Sequence, residues 1–154
     1  MVETVVWRIA RRIHGLDRLG AGARANGGRW NEVGTPAIYA GSTIAIVALE
    51  TFVHVAGIVP ADLVLVRIEL PARCSTERPR FADLPRDWAS VPAGPGSMAF
   101  GSKWALENRS LVLYVPSALI AEELNVVLNP SHPEFGGVKM TVQRPFRYDA
   151  RMYS

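Results

Sequence analysis

An acidic side chain inside a strongly apolar stretch is the first chemical signal in this chain. Glu50 sits among Ile44, Ala45, Val47, Ala48, Leu49, Phe52, Val53 and Val55. A carboxylate in such surroundings must face solvent, pair with a cation, or act on a ligand, because burying it alone is costly. Enclosure would raise its pKa and an arginine neighbour would lower it. The second signal is Arg29 in Gly27-Gly28-Arg29-Trp30-Asn31. Two glycines ahead of an arginine clear space for a flat guanidinium to meet a bidentate anion such as pyrophosphate, although a surface arginine after a glycine turn reads the same way. Trp30 behind it is expected to be buried and to fix a strand. Tyr39 ends a short apolar run and offers a ring face for stacking on a planar ring, or simple core packing. Ser117 follows Pro116 at a strand end and either lines a cleft or N-caps a helix over 118–123. Arg8 and Arg24 are further anion-binding candidates of the same type as Arg29.

The elements that must carry these residues can be read from the apolar pattern. Val5 to Ile9 form an opening strand, and a glycine-punctuated connection follows from Gly15 to Gly28. Ala37 to Ala40 form a short buried strand. Ser42 as N-cap and Gly57 as stop frame a helix of roughly fourteen residues, apolar nearly all round and so expected to be buried nearly all round. Glu50 and His54 share one stripe of it at i and i+4. Leu63 to Leu70 alternate as a strand that stops at Pro71. Pro71 to Gly101 read as a long surface excursion with room for one short helix, and Lys103 to Asn108 as helical. Leu111 to Val115, Leu124 to Leu128 and Thr141 to Tyr148 complete the strands. Strands with a few helices, without regular alternation, predict an α+β domain of mixed and antiparallel sheet.

Other chemistries find no support. Gly96 to Lys103 has Ser and Lys in the wrong order for a phosphate loop. There is no G-x-S-x-G elbow, and no G-x-G-x-x-G leads a strand into a helix. His14, His54 and His132 are scattered and Cys74 is the single cysteine, so no zinc spacing exists and no metal is expected. A lone cysteine also removes any intrachain disulfide and fits a reducing compartment. Arg8, Arg11 and Arg12 break a signal-peptide core near the start. The longest uncharged run, Val33 to Leu49, is interrupted by Gly34, Pro36 and Gly41 and falls short of the ~20 apolar residues of a membrane span. With 154 residues, 49% of them hydrophobic, and a net charge of +3, the chain reads as one globular domain of cytoplasmic type. It lacks a basic block for nucleic acid.

Taken together, the fragments Trp7-Arg8-Ile9, Gly20-Ala21-Gly22-Ala23, Gly27 to Asn31, Gly34 to Tyr39, Ala48-Leu49-Glu50, Val115 to Ala118, Asn125 to Pro130, Pro145-Phe146 and Asp149-Ala150-Arg151 resemble the RES domain in order and spacing. The resemblance spans nearly the whole chain, 1–154, as a single domain. It implies a fold similar to ADP-ribosyltransferases, and the toxin of a toxin–antitoxin pair whose antitoxin carries a helix-turn-helix DNA-binding part. It implies cleavage of the nicotinamide–ribose bond of NAD, or ADP-ribosyl transfer from NAD to a protein, with no cofactor beyond NAD as substrate. A non-catalytic nucleotide- or nucleic-acid-binding module is the alternative of a different class. Carried over by motif, the family's arginine, tyrosine, glutamate and serine fall on Arg29, Tyr39, Glu50 and Ser117. Glu50 would then support the developing cation, Arg29 the pyrophosphate, Tyr39 a ring and Ser117 the ribose, with Arg8 as a second phosphate contact. Arg29 and Glu50 are expected to face one pocket sized for a dinucleotide. Neither direct nucleic-acid binding nor a membrane is implied, and a homodimer is compatible with the sequence but not readable from it.

Overall fold

The computed structural model describes residues 2–55 and 57–153. Seven strands, β1 (Val2–Arg11), β2 (Ile38–Gly41), β3 (Leu63–Pro71), β4 (Thr76–Glu77), β5 (Val112–Pro116), β6 (Leu124–Leu128) and β7 (Lys139–Pro145), form one sheet in the order β4-β5-β6-β2-β1-β3-β7. All neighbours are antiparallel except β4 and β5. Among the described residues, three α-helices accompany it: α1 (Ala21–Asn26), α2 (Ile44–His54) and α3 (Pro95–Leu106). The expected α+β architecture with a mixed sheet is therefore what forms.

Residues opposite one another across antiparallel strands share a face, so the register assigns every side chain. Trp7 opposes Gly41 and Arg67, Gly41 opposes Asn125, and Asn125 opposes Val115. This face carries both long helices. Ile9, Leu63 and Leu65 pack with Val47 of α2, and Leu113, Val115 and Val127 pack with Trp104 and Ala105 of α3. The opposite face gathers Val6, Ile38, Ala40, Val64, Val66, Ile68, Val112, Val126 and Leu128 into one cluster. It runs across β5, β6, β2, β1 and β3. β1 and β2 share the single register pair Trp7–Gly41. β3 is buried on both faces, which explains its run of large apolar residues.

Several local expectations are corrected. The N-cap of α2 is Thr43, not Ser42: its side chain accepts from the Ile46 N–H, and the helix ends at His54, before Gly57. That helix is not buried all round. Ile46 and Val47 are its buried residues, and Val53 is 52% exposed, since α2 lies on the sheet with one side only. The excursion after Pro71 is shorter than expected, because α3 begins at Pro95, eight residues ahead of Lys103. Gly96 and Gly101 hide this helix from propensity reasoning. Residues 118–123 form turns, not a helix, and no strand runs through Trp30, where Gly28 and Asn31 make an isolated bridge. β7 ends at Pro145, leaving Tyr148 as a buried plug outside the strand.

Candidate active site

Glu50 projects from the middle of α2, half-buried, and one of its carboxylate oxygens, Oε1, accepts a hydrogen bond from Ser117 Oγ at 2.7 Å. Ser117 is fully buried two residues beyond Val115, on the helix-bearing face. Its Oγ also accepts from the N–H groups of Leu119 (3.0 Å) and Ile120 (3.2 Å). With two donors already pointing at Oγ, the single hydroxyl proton is committed to Glu50. The serine thus caps a turn and aims the carboxylate. Oε2 of Glu50 makes no hydrogen bond among the described residues.

Arg29 is built differently. Its Nη1 donates to the carbonyl oxygens of Trp88 (3.0 Å) and Ser90 (2.7 Å), so one corner of the guanidinium is fully used. Nε and Nη2 make no hydrogen bond among the described residues. These two N–H groups form the side-on edge that matches two oxygens of a phosphate.

Tyr39 links this loop to the sheet. Its hydroxyl donates to Asn31 Oδ1 at 2.6 Å and accepts from the Trp30 N–H at 2.9 Å. Burial pushes the phenol well above its ordinary pKa, against smaller opposing pulls from the Trp30 N–H and the Arg29 charge. Asn31 is itself buried and donates to the carbonyls of Ala23 and Thr35. Gly28 passes directly over the phenol, where a Cβ would stand 2.7 Å from the tyrosine oxygen. The second glycine of the pair is thus required by its close approach to Tyr39. Helix α3 braces the loop from outside: a Cβ at Gly101 would collide with the Trp30 carbonyl, and Ser102 Oγ accepts from the Glu32 N–H at 2.8 Å.

The register places Tyr39 and Val115 on the face that carries α2 and α3, so Glu50, Ser117, Tyr39 and the Arg29 loop belong to one side of the sheet. Asn125 lies on that floor between Gly41 and Val115, and its Oδ1 is buried with no partner among the described residues. Arg8 falls on the other face, opposite Val66. Its Nε is buried without a partner, burial pulls its pKa below the ordinary value, and Asp17 pulls it back. Arg8 therefore lies on the opposite side of the sheet from these four residues. Arg24 lies exposed on the short α1, and His54 is exposed, one turn beyond Glu50.

Two cavities adjoin the site. One of about 280 Å³ lies along α2 and the 119–123 turn, lined by Ala45, Ile46, Leu49, Ile120, Glu123 and Met152 among others. A second, about 30 Å³, lies between Phe81, Leu84, Tyr114 and Pro116. Neither is lined by Arg29 or Glu50, so the dinucleotide pocket expected between those side chains is not one of these two cavities. Sequence reasoning missed the loop over 87–90 that holds Arg29. Its only signal was position: a long connection in a compact domain.

The chain is similar to known proteins over nearly its whole length. A family profile described as RES domain matches residues 5–149. The chain is 44% identical to the "Prs ADP-ribosylating toxin" of Sphingobium sp. strain YBL2, over 98% of both chains. It is 35% identical to a "Toxin Res" of Photorhabdus laumondii, over 86% of both. Among solved structures, a chain of the M. tuberculosis MbcT–MbcA toxin–antitoxin complex superposes with a TM-score of 0.68 at 19% identity, covering 99% of this chain and 88% of that one. At that identity the likeness is one of fold, and it agrees with the α+β mixed-sheet architecture. The profile spans all four residues of the Arg29, Tyr39, Glu50 and Ser117 set, and the curated relatives match at nearly full length. This chain belongs to the RES domain family.

Proposed function

We propose that the chain is the toxin of a toxin–antitoxin pair and that it breaks the nicotinamide–ribose bond of NAD. The observation that carries this reading is the half-used state of both charged groups. Glu50 has one oxygen aimed by Ser117 and the other open, and Arg29 has one corner anchored and its Nε–Nη2 edge open. A dinucleotide offers both partners at once, a ribose hydroxyl for the carboxylate and a pyrophosphate for the guanidinium.

In the bond-breaking step the C–N electron pair leaves with nicotinamide, which becomes neutral, and C1′ of the ribose gains oxocarbenium character. A strong general acid is unnecessary, because the leaving group discharges its own positive charge. A fixed carboxylate beside the developing cation lowers the barrier. Glu50 supplies it, and Oε2 accepts the ribose hydroxyl. The committed Ser117 proton keeps the carboxylate oriented, so no reorganisation accompanies the charge change. An incoming nucleophile then adds to C1′ and loses its proton. NAD enters as substrate, and the reading requires no further cofactor. Tyr39 contributes by holding the Arg29 loop and by presenting its ring on the same face.

The name of the 44% identical relative favours a second reading for the acceptor: transfer of the ADP-ribosyl group to a protein. Bond cleavage is common to both readings, and only the nucleophile differs. In the cell we place the protein in the cytoplasm, restrained by an antitoxin with a helix-turn-helix part that covers the site. No helix among the described residues is long and apolar enough to cross a membrane.

Purified protein incubated with NAD should release nicotinamide. Label carried on the adenylate half should appear on a protein when cell extract is added. Nicotinamide release without a labelled protein assigns water or phosphate as acceptor. The absence of release under either condition removes the reaction altogether.

A further inference from the structure

Asp87 precedes α3 by several residues, yet its side chain is what closes that helix. Oδ2 accepts from the Gly96 N–H at 2.7 Å and Oδ1 from the Ser97 N–H at 2.9 Å. The residue in the N-cap position, Gly94, has no side chain to do this. A Cβ at either Gly94 or Gly96 would run into the Asp87 carboxylate, so both glycines make room for it. The carboxylate is well placed against the positive end of the helix, and it occupies the donors that could otherwise have bound a phosphate. Anion binding here is thus left to side chains.

The main chain of Asp87 completes the arrangement. Its carbonyl accepts from the Ser90 N–H at 2.9 Å, closing a turn over 87–90. Trp88, half-buried, packs against the cluster that contains Trp104 and Ala105 of α3, and its ring meets Phe81 edge-on at 5.9 Å. The carbonyls of Trp88 and Ser90, presented by this turn, are the two that hold Nη1 of Arg29. α3, capped by Asp87, braces the Arg29 loop at Trp30 and Glu32. A closed circuit results, from helix to turn to guanidinium and back through the loop to the helix. Asp87 is the residue that ties its own turn to the helix.

We infer that Asp87 is a positioning residue for substrate binding: it fixes the turn that anchors one corner of Arg29, so that the opposite edge is preset for the pyrophosphate. This rests on the NAD reading above. A guanidinium that must be ordered at the moment of binding loses affinity to that ordering, and one already held does not. The effect should therefore fall on dinucleotide affinity and not on the chemical step.

The test is a double-mutant cycle between Asp87→Ala and Arg29→Ala. It is read by direct calorimetric binding of ADP-ribose, which carries the pyrophosphate, and by the KM and kcat for NAD. Asp87→Ala should weaken ADP-ribose binding and raise KM on the order of tenfold, with kcat nearly kept and nicotinamide inhibition unchanged. In the Arg29→Ala background the same substitution should add no further loss. Asp87→Asn, which keeps an acceptor oxygen, should restore part of the affinity and serves if the alanine variant does not fold. Unchanged ADP-ribose binding in the Asp87 variants overturns the inference. So does an equal loss with and without Arg29, because that marks a purely structural role. If the unmutated protein binds ADP-ribose but does not turn over NAD, the binding cycle still decides the role of Asp87 while the proposed reaction fails. If it does not bind ADP-ribose, both fall.

Discussion

Glu50 stands on a helix and is aimed by a single side chain, Ser117, at the end of a strand; Arg29 stands on a loop and is aimed by two carbonyls of a second loop. The contrast follows from what each group has to do. A carboxylate that acts on a charge developing at one carbon needs a fixed position relative to that atom, and helix α2 packed on Ile9 and Leu65 gives it a rigid base. A guanidinium that holds a pyrophosphate needs an open edge and an approach path. A loop-borne arginine anchored at one corner provides both. If this division is right, damage to the Glu50 half should appear in kcat, and damage to the Arg29 half in KM.

The largest effect is expected at the carboxylate. Glu50→Gln keeps the shape and the hydrogen bond from Ser117 but removes the charge, and it should lower kcat by about 10²–10³ with little change in KM. Measuring nicotinamide release at saturating NAD checks this, and turnover equal to the parent protein would reject the electrostatic role. Ser117→Ala should come next. It leaves Glu50 charged but unaimed, and removes the acceptor for the Leu119 and Ile120 N–H groups. A hydrogen bond to a charged group contributes about 1.5–3 kcal/mol, so a kcat loss of roughly tenfold or more is expected. If Ser117→Ala changes KM alone, the serine touches substrate in place of aiming the acid, and the division between the two halves is drawn in the wrong place.

The same contrast decides how much could be read before the fold was known. The Glu50 half was legible because regular elements carry it. The end signals at Ser42 and Gly57, with an apolar stretch between them, located α2, and Pro116 marked the strand end that brings Ser117 near. Two details escaped for lack of any local signal, namely the choice of Thr43 over the adjacent Ser42 as cap, and the turns that replace a helix after Ser117. On the Arg29 side the residue was legible and its support was not. Glycine, serine and proline between Pro95 and Gly101 argue locally against a helix. α3 forms there because Gly101 is what lets a helix lie against the Trp30 carbonyl, and because Asp87, in the preceding loop and outside the helix's own N-cap position, supplies a cap. Tertiary contact overrode propensity. The face of Arg8 could not be foreseen either, since it depends on the single Trp7–Gly41 pairing that sets the parity of β1 against β2.

Smaller effects sharpen the comparison further. Tyr39→Phe removes the hydroxyl that accepts from the Trp30 N–H and donates to Asn31 Oδ1, leaving two enclosed polar groups without partners. A loss of about 1–3 kcal/mol in stability is expected by denaturant titration. A raised KM should accompany it, because the loop that loses its tether is the one that carries Arg29. An unchanged KM would show that the 88–90 carbonyls alone keep the guanidinium in place.

The smallest expected change lies on the other side. Thr43→Ala removes the N-cap of α2, whose side chain accepts from Ile46 N–H at 3.1 Å. Such substitutions cost roughly 1 kcal/mol, and the loss is confined to the first turn. Glu50 sits in the second turn, bonded to Ser117 and following the Ile46 and Val47 positions that clamp the helix over Gly41. The variant should therefore unfold at slightly lower denaturant while kcat and KM for NAD stay at the parent values. A fall in kcat would mean that fraying at the start of α2 reaches the carboxylate, and the acid would then be held by the whole helix and not by the serine alone.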